Sequence, residues 1–308
     1  MASERIIRSI AGPGDDGARL DLWLAGRFPY LSRARWQEEI REERILLNGA
    51  KTRCSRVLRA GDTVAFQPSG EEPPVVFDYR IIHEDAELLV VDKGGGLPCH
   101  PAGAFFKNTL WYDLSQTYGQ VSVINRLDRE TSGLLIVARN SSAAAALSAQ
   151  LQDGGMEKTY HALVYGEMNS PMVAEGYLSG DPSAAVRKKR VFSRKKGDGE
   201  AEYAFTEFIP VRQADGMTLV LAKPRTGRLH QIRATLCSLG YPMVGDKIYG
   251  PDETCYLRFL DDALTDEDRA VLRMPRQALH ASGLVFNHPS SGAKMVFESP
   301  LPDDFIVI

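Results

Sequence analysis

The pattern of apolar and polar positions changes character several times along the chain, and each change marks an element. Leu20, Trp23, Leu24 and Phe28 recur at helical spacing and predict one amphipathic helix. Ser32 is placed to cap a second helix, whose Trp36 and Ile40 lie one turn apart and face inward. Arg44-Ile45-Leu46-Leu47 then reads as a strand and Asn48-Gly49 as the tight turn after it. Ala60-Gly61-Asp62 makes a further turn before a short strand, Thr63–Phe66. Beyond a proline-rich break, residues 87–93 read as a buried strand ended by Gly94-Gly95-Gly96, and 133–138 as another. Ser141–Gln152 is an alanine-rich helix closed by Gly154-Gly155. Residues 158–165 alternate like a half-buried strand, and 203–211 with 217–223 form a hairpin around Ala214-Asp215-Gly216.

Period-two strands interrupted by a few helices predict an α+β fold rather than a doubly wound parallel sheet. The glycine run at 94–96 fits neither G-x-G-x-x-G nor G-K-[ST], so no nucleotide-binding fold is expected. The stretch QPSGEEPP at 67–74 reads as a linker. It separates a small domain at 1–68, with its core at 18–66, from a linker at 69–75 and a large domain at 76–308. A length of 308 residues agrees with two domains of ordinary size, about 100–200 residues each.

Composition excludes several classes. With 44% hydrophobic and 25% charged residues the chain can build a core and is not wholesale disordered. Cys54, Cys99, Cys237 and Cys255 have no paired C-x-x-C spacing, which predicts no metal, no redox motif and no disulfide framework. No apolar run has signal-peptide or membrane-spanning length, so a soluble cytoplasmic protein without a membrane partner is expected. No surplus apolar stripe advertises an interface, and a monomer is the expectation.

The formal net charge of −3 argues weakly against a nucleic-acid partner until its parts are separated. Eleven arginines and one lysine between Arg5 and Arg59 stand against eight acids between Asp15 and Asp62, a surplus of +4. Arginine rather than lysine suits phosphate oxygens. Residues 187–196 carry seven cations in ten positions (Arg187, Lys188, Lys189, Arg190, Arg194, Lys195, Lys196), either a solvated loop or a handle for nucleic acid. Residues 252–269 carry seven acids against two arginines, and this acidic stretch is expected to face away from RNA.

Three clusters could carry chemistry. Asn125-Arg126-Leu127-Asp128-Arg129-Glu130-Thr131-Ser132 crowds charge and hydroxyls at the mouth of a buried strand. A charged, hydrogen-bonded turn is the plain alternative. A carboxylate there must be desolvated or paired, and an arginine neighbour would keep it ionised for attack, which makes Asp128 the candidate. Arg225, Arg228, His230 and Arg233 surround the start of a helix carrying Ile232, Leu236 and Leu239 on one face. Cations at that helix end are unfavourable unless a phosphate or a carboxylate such as Asp128 sits among them. Tyr160 begins a strand where an aromatic ring could stack on a flat ligand or simply pack.

Two resemblances sharpen these readings. RLDLWLA…LSRARWQEEIREERILLNGAKTRCSRVLRAGDTV, about residues 18–66, resembles an S4-like RNA-binding domain, a small α/β module. That resemblance implies phosphate contacts by Arg33, Arg35 and Arg41. IIHEDAELLVVDK, NRLDRETSGLLIVARN, KTYHALVYGE, KPRTGRLHQIRATLCSLGYPMVGDKIYG and RQALHASGLVFNHPSSGAKMVFESPLPDDF follow in order over about residues 76–305. This set resembles the RluA-type pseudouridine synthases, isomerases that convert uridine to pseudouridine within structured RNA.

The resemblance implies a mixed, largely antiparallel β-sheet catalytic domain with flanking helices, and no cofactor. It implies Asp128 as the catalytic aspartate, Tyr160 packing on the base, and Arg233 paired with Asp128 with Ile232 beside it. Arg126 would occupy the space a flipped base vacates, and Arg228, His230, Arg187 and Lys188 would help hold the RNA. Many members have histidine before R-L-D where this chain has Asn125, a change that could touch RNA contacts or substrate choice. The expected substrate is ribosomal RNA ahead of transfer RNA. Two rival functions are a non-catalytic RNA-binding or ribosome-assembly factor, and a nucleoside-type hydrolase needing a second carboxylate, for which Glu130 is nearest in sequence.

Overall fold

A computed structural model of the chain describes residues 6–28, 31–67, 72–197 and 199–305. Residues 68–71 of the expected linker lie outside the described residues. The chain divides into two compact units, Met1–Pro73 with Leu257–Ala263, and Pro74–Tyr256 with Leu264–Ile308.

In the first unit, strand β1 (Ile7–Ile10) precedes helices α1 (Leu20–Arg27) and α2 (Arg33–Arg41). Strands β2 (Ile45–Leu47), β3 (Ala50–Lys51) and β4 (Thr63–Phe66) follow. The four strands form one antiparallel sheet in the order β1-β4-β2-β3. Ser32 Oγ accepts from the Arg35 N–H and so satisfies a donor that α2 itself cannot pair. Asn48, with φ 52°, and Gly49, with φ 79°, turn β2 into β3, which is why a small residue follows Asn48. Trp36 is fully buried, its ring 5.1 Å from Phe66 and its indole N–H donated to the Phe28 carbonyl.

The buried Asp21 carboxylate accepts from Arg19, Arg33 and Gln37. Burial pushes its pKa up, but these hydrogen bonds more than reverse the effect and hold it below the usual carboxylate range. Arg33, expected to contact RNA, is therefore engaged with Asp21 at 2.8 Å, and Arg35 with Glu38 at 2.9 Å. Arg41 is exposed and has no ion pair among the described residues.

The second unit is built on one sheet of eleven strands. Strands β5 (Tyr79–Glu84) and β6 (Leu88–Lys93) lead to helix α3 (Leu110–Tyr118) and the short β7 (Ser122–Val123). Next come β8 (Ser132–Ala138), helix α4 (Ser141–Gln152), β9 (Glu157–Tyr165), β10 (Met172–Gly180) and β11 (Arg190–Ser193). The hairpin β12 (Ala201–Ala214) and β13 (Met217–Pro224) runs into α5 (Gln231–Ser238), followed by α6 (Thr254–Leu260) and α7 (Asp266–Leu272). Strands β14 (Leu279–Asn287) and β15 (Lys294–Glu298) close the chain.

The order is β11-β10-β12-β13-β9-β14-β8-β6-β5, with β15 on β14 and β7 on β8. Every pairing is antiparallel except β14 with β8. This is the mixed α+β architecture expected. The alternation read into β9 holds only for its first half. Ala162, Leu163 and Val164 are all buried, because β9 lies mid-sheet between β13 and β14 with both faces covered. The parallel pair has a direct sequence correlate. Gly133 opposes Ala281 with φ 109°, and a Cβ there would lie inside the Ala281 carbonyl.

Replacing Trp36 with alanine is expected to destabilise the first unit by about 3–5 kcal/mol, read from denaturant unfolding. Arg41→Ala, at an exposed position, should stay within about 0.5 kcal/mol of the parent in the same measurement.

Candidate active site

The residues before β8 form a tight turn, with the Thr131 N–H donating to the Asp128 carbonyl at 3.0 Å. The turn is held from behind at several points. Asn125 is buried, its Oδ1 accepting from the Ile136 N–H at 2.7 Å and its Nδ2 donating to the Leu134 carbonyl. Cys99 Sγ donates to the Leu127 carbonyl, and Lys93 Nζ and the Gly96 N–H both donate to the Arg129 carbonyl. Lys93 is buried, and desolvation lowers its ammonium to about 8. The turn thus presents Asp128 as a fixed group, while Arg126 beside it stays exposed.

Opposite stands Arg233, in the first turn of α5. It donates from Nε and Nη2 to both oxygens of Asp246, at 2.6 and 2.8 Å, and from Nη1 to Asp128 Oδ2 at 2.6 Å. Asp246 is fully buried and also accepts the Ile248 and Tyr249 N–H groups on Oδ1, each at 2.9 Å. The unfavourable crowd of cations at this helix end is therefore relieved by two carboxylates rather than one.

The two carboxylates are not equivalent. Asp246 has no exposed side-chain surface and every oxygen is engaged. Asp128 is 32% exposed; Oδ2 takes Arg233 and, at 3.4 Å, Gln277 Nε2, while Oδ1 accepts no hydrogen bond among the described residues. Burial alone would raise the Asp128 pKa. The charges of His230 and Arg233, with the hydrogen bonds from Arg233 and Gln277, outweigh it and hold the carboxyl well below its usual range. His230 is itself neutral near pH 7, because desolvation and the Arg233 charge lower it to about 4. Near neutrality Arg233 is accordingly the group that keeps Asp128 ionised.

A family model described as RNA pseudouridylate synthase matches residues 87–238. The chain is 33% identical over 303 residues to the ribosomal large subunit pseudouridine synthase D of Nitrosomonas europaea, covering 95% of this chain and 83% of that protein. It is 32% identical over 303 residues to the protein of that name from Pseudomonas aeruginosa, covering 94% and 90%. The chain belongs to the RluA-type RNA pseudouridine synthases. Among solved structures, human RNA pseudouridylate synthase domain containing 1 matches with a TM-score of 0.58 at 25% identity, over 75% of this chain and 86% of that one. The protein is thus an isomerase acting on uridine in RNA.

The remaining expected site residues distribute unevenly in the synthase. Tyr160 is buried on β9 in register with Ala281, which in turn opposes Gly133 just beyond the Asp128 turn. Burial and the nearby Asp128 charge raise its phenol pKa, and its hydroxyl has no hydrogen bond among the described residues. Ile232 is buried. Arg228 points elsewhere, donating to the Tyr203 carbonyl and lying 3.7 Å from Glu202.

The run of seven cations divides. Arg187, Arg194, Lys195 and Lys196 are exposed. Lys188 donates to the Tyr256 hydroxyl at 2.6 Å, and desolvation, with help from the Arg233 charge, lowers its ammonium to about 8. Lys189 pairs with Glu253 at 2.5 Å. Glu253 of the acidic stretch at 252–269 thus lies against the basic run. Opposite charge draws the two together.

Two further residues singled out in the sequence make structural contacts. Asn125 makes its contacts with the β8 backbone, where its side chain holds the turn. Glu130, the carboxylate nearest Asp128 in sequence, is engaged with Lys247 at 2.8 Å. Among the described residues one group has metal-ligand atoms close together, Asp252, Cys255 and Asp268 within 4.8 Å. There the Cys255 Sγ lies 3.5 Å from Asp268 Oδ1 and 3.8 Å from Asp252 Oδ2, within reach of one thiol hydrogen bond. Asp246 and Gln277 lie inside quoted motifs, but nothing in their spacing marks them as partners of residues more than ten positions away.

Asp246→Asn is expected to lower the single-turnover rate by at least about tenfold by releasing Arg233. The sign of the pH effect follows from the depressed Asp128 pKa. Activity needs the ionised form, so a loosened Arg233 raises that pKa and moves the acid limb of the pH–rate profile upward.

Proposed function

We propose that this synthase acts on uridine in structured ribosomal RNA and that Asp128 reacts through Oδ1. The observation that carries the reading is the asymmetry of one carboxylate, with Oδ2 bound by Arg233 and Oδ1 open. Two of its relatives are named for the large ribosomal subunit, which favours ribosomal over transfer RNA.

The reaction breaks the bond from ribose C1′ to uracil N1, turns the base, and joins C1′ to C5. The C5 proton leaves and N1 gains one, so the product is an isomer. The target nucleotide leaves the stack first, at a cost of a few kcal/mol. Exposed Arg126 fills the vacated space, and Tyr160 packs on the base, its neutral phenol suited to receive an apolar face. Oδ1 then either attacks C1′ or removes a ribose proton; both routes use the same open oxygen and the same ionised state. Binding comes from phosphate contacts. Arg41 in the S4-like first unit and Arg187 with 194–196 in the second offer exposed cations for them, whereas Arg33 and Arg35 act mainly within the first unit's own ion pairs.

Asp128→Asn should bind RNA with unchanged affinity and form no pseudouridine at stoichiometric enzyme. Substantial product would remove Asp128 from its assigned role. Mapping pseudouridine in cells with and without the protein should show loss at one or a few positions of large-subunit ribosomal RNA. Loss confined to transfer RNA would overturn the substrate assignment.

A further inference from the structure

We infer that Tyr249 fixes the tautomer of His230 and so aims an imidazole N–H at Asp128 Oδ1. This deepens the proposed reading, since it takes Oδ1 as the reacting oxygen. Tyr249 is fully buried and its backbone N–H is bonded to Asp246. The Arg233 guanidinium lies 5.0 Å from its ring centroid, and the His230 ring meets it edge-on, 5.5 Å away at 83°. Its hydroxyl has two partners, the Arg190 backbone nitrogen and His230 Nδ1, each at 2.9 Å.

Those two contacts determine where the protons are. A backbone N–H can only donate, so the phenol oxygen accepts from Arg190. Among the described residues the phenol proton has no other acceptor, and we take it to go to His230 Nδ1, which is then the accepting, unprotonated nitrogen. A neutral imidazole with a bare Nδ1 carries its hydrogen on Nε2. Nε2 lies 4.0 Å from Asp128 Oδ1, the carboxylate oxygen that accepts no hydrogen bond among the described residues. The backbone supports a held ring. His230 has φ 55°, a left-handed conformation that a non-glycine residue keeps only where its surroundings enforce it.

An N–H at that separation restrains rotation of the carboxylate without capturing the oxygen that must react. The opposite tautomer would present the Nε2 lone pair to a carboxylate and repel it. Tyr249 is therefore a positioning residue acting through His230. It also joins the backbone of Arg190, in the basic run, to Asp128 and Arg233.

The test has two arms. Imidazole ¹⁵N spectra of the RNA-free protein near neutral pH, with His230 assigned by its loss in His230→Gln, should show Nε2 protonated and Nδ1 bare. In Tyr249→Phe the His230 signals should shift toward a mixture of tautomers. Single-turnover conversion of RNA should slow about tenfold, the effect of one lost neutral hydrogen bond, at unchanged RNA affinity. His230→Gln, which keeps a side-chain N–H, should retain more turnover than His230→Leu. That pair carries the test if Tyr249→Phe does not fold. Protonation at Nδ1 in the parent, an unchanged tautomer or rate in Tyr249→Phe, or equal rates for the two His230 variants would overturn the inference. Turnover by Asp128→Asn would instead sink the reading of Asp128, leaving the spectroscopic result to stand by itself.

Discussion

One guanidinium between two carboxylates organises this catalytic unit. Arg233 is clamped from one side by Asp246, whose oxygens are filled by it and by two backbone N–H groups. Its Nη1 is thereby aimed at Asp128. A buried cation would be costly alone, and so would either acid; together they balance to a single net negative charge. That charge resides where desolvation is least complete, on the half-open Asp128. The clamped turn at 124–131, the closely approached Gly133 and the parallel β14–β8 pair all serve to deliver that carboxylate to the same place.

Much of this was legible along the chain where local chemistry decides the outcome. The α4 bounds follow from an alanine-rich run and a glycine stop, and the β2–β3 turn from Asn48-Gly49. Cations at a helix start call for an anion, either a phosphate or a carboxylate such as Asp128, and the resemblance implied that Arg233 is the one that pairs with it. What local pattern does not contain is partnership at long range. Asp246 and Gln277 are ordinary polar residues until folding places them beside Arg233 and Asp128. The burial of β9 depends on its mid-sheet place, which alternation alone does not specify.

Charge needs the same separation of local from global. The total of −3 conceals a basic first segment, a basic run at 187–196 and an acidic stretch at 252–269. Folding then changes which of these charges remain available. Arg33 is taken by Asp21, Lys189 by Glu253 and Lys188 by Tyr256, while Arg41, Arg126 and Arg187 stay open to solvent. A count of cations therefore overstates the surface a polyanion meets, and pairing decides which members of a run can bind it.

The central claim is that Arg233, fixed by Asp246, keeps Asp128 ionised with one oxygen free. Titration of the aspartate carboxyl carbons by ¹³C NMR tests it directly, with the Asp128 signal identified by its absence in Asp128→Asn. The account predicts that this signal stays in its ionised position while unpaired aspartates protonate near their ordinary value of about 3.9. An Asp128 that protonates at or above that value would contradict it.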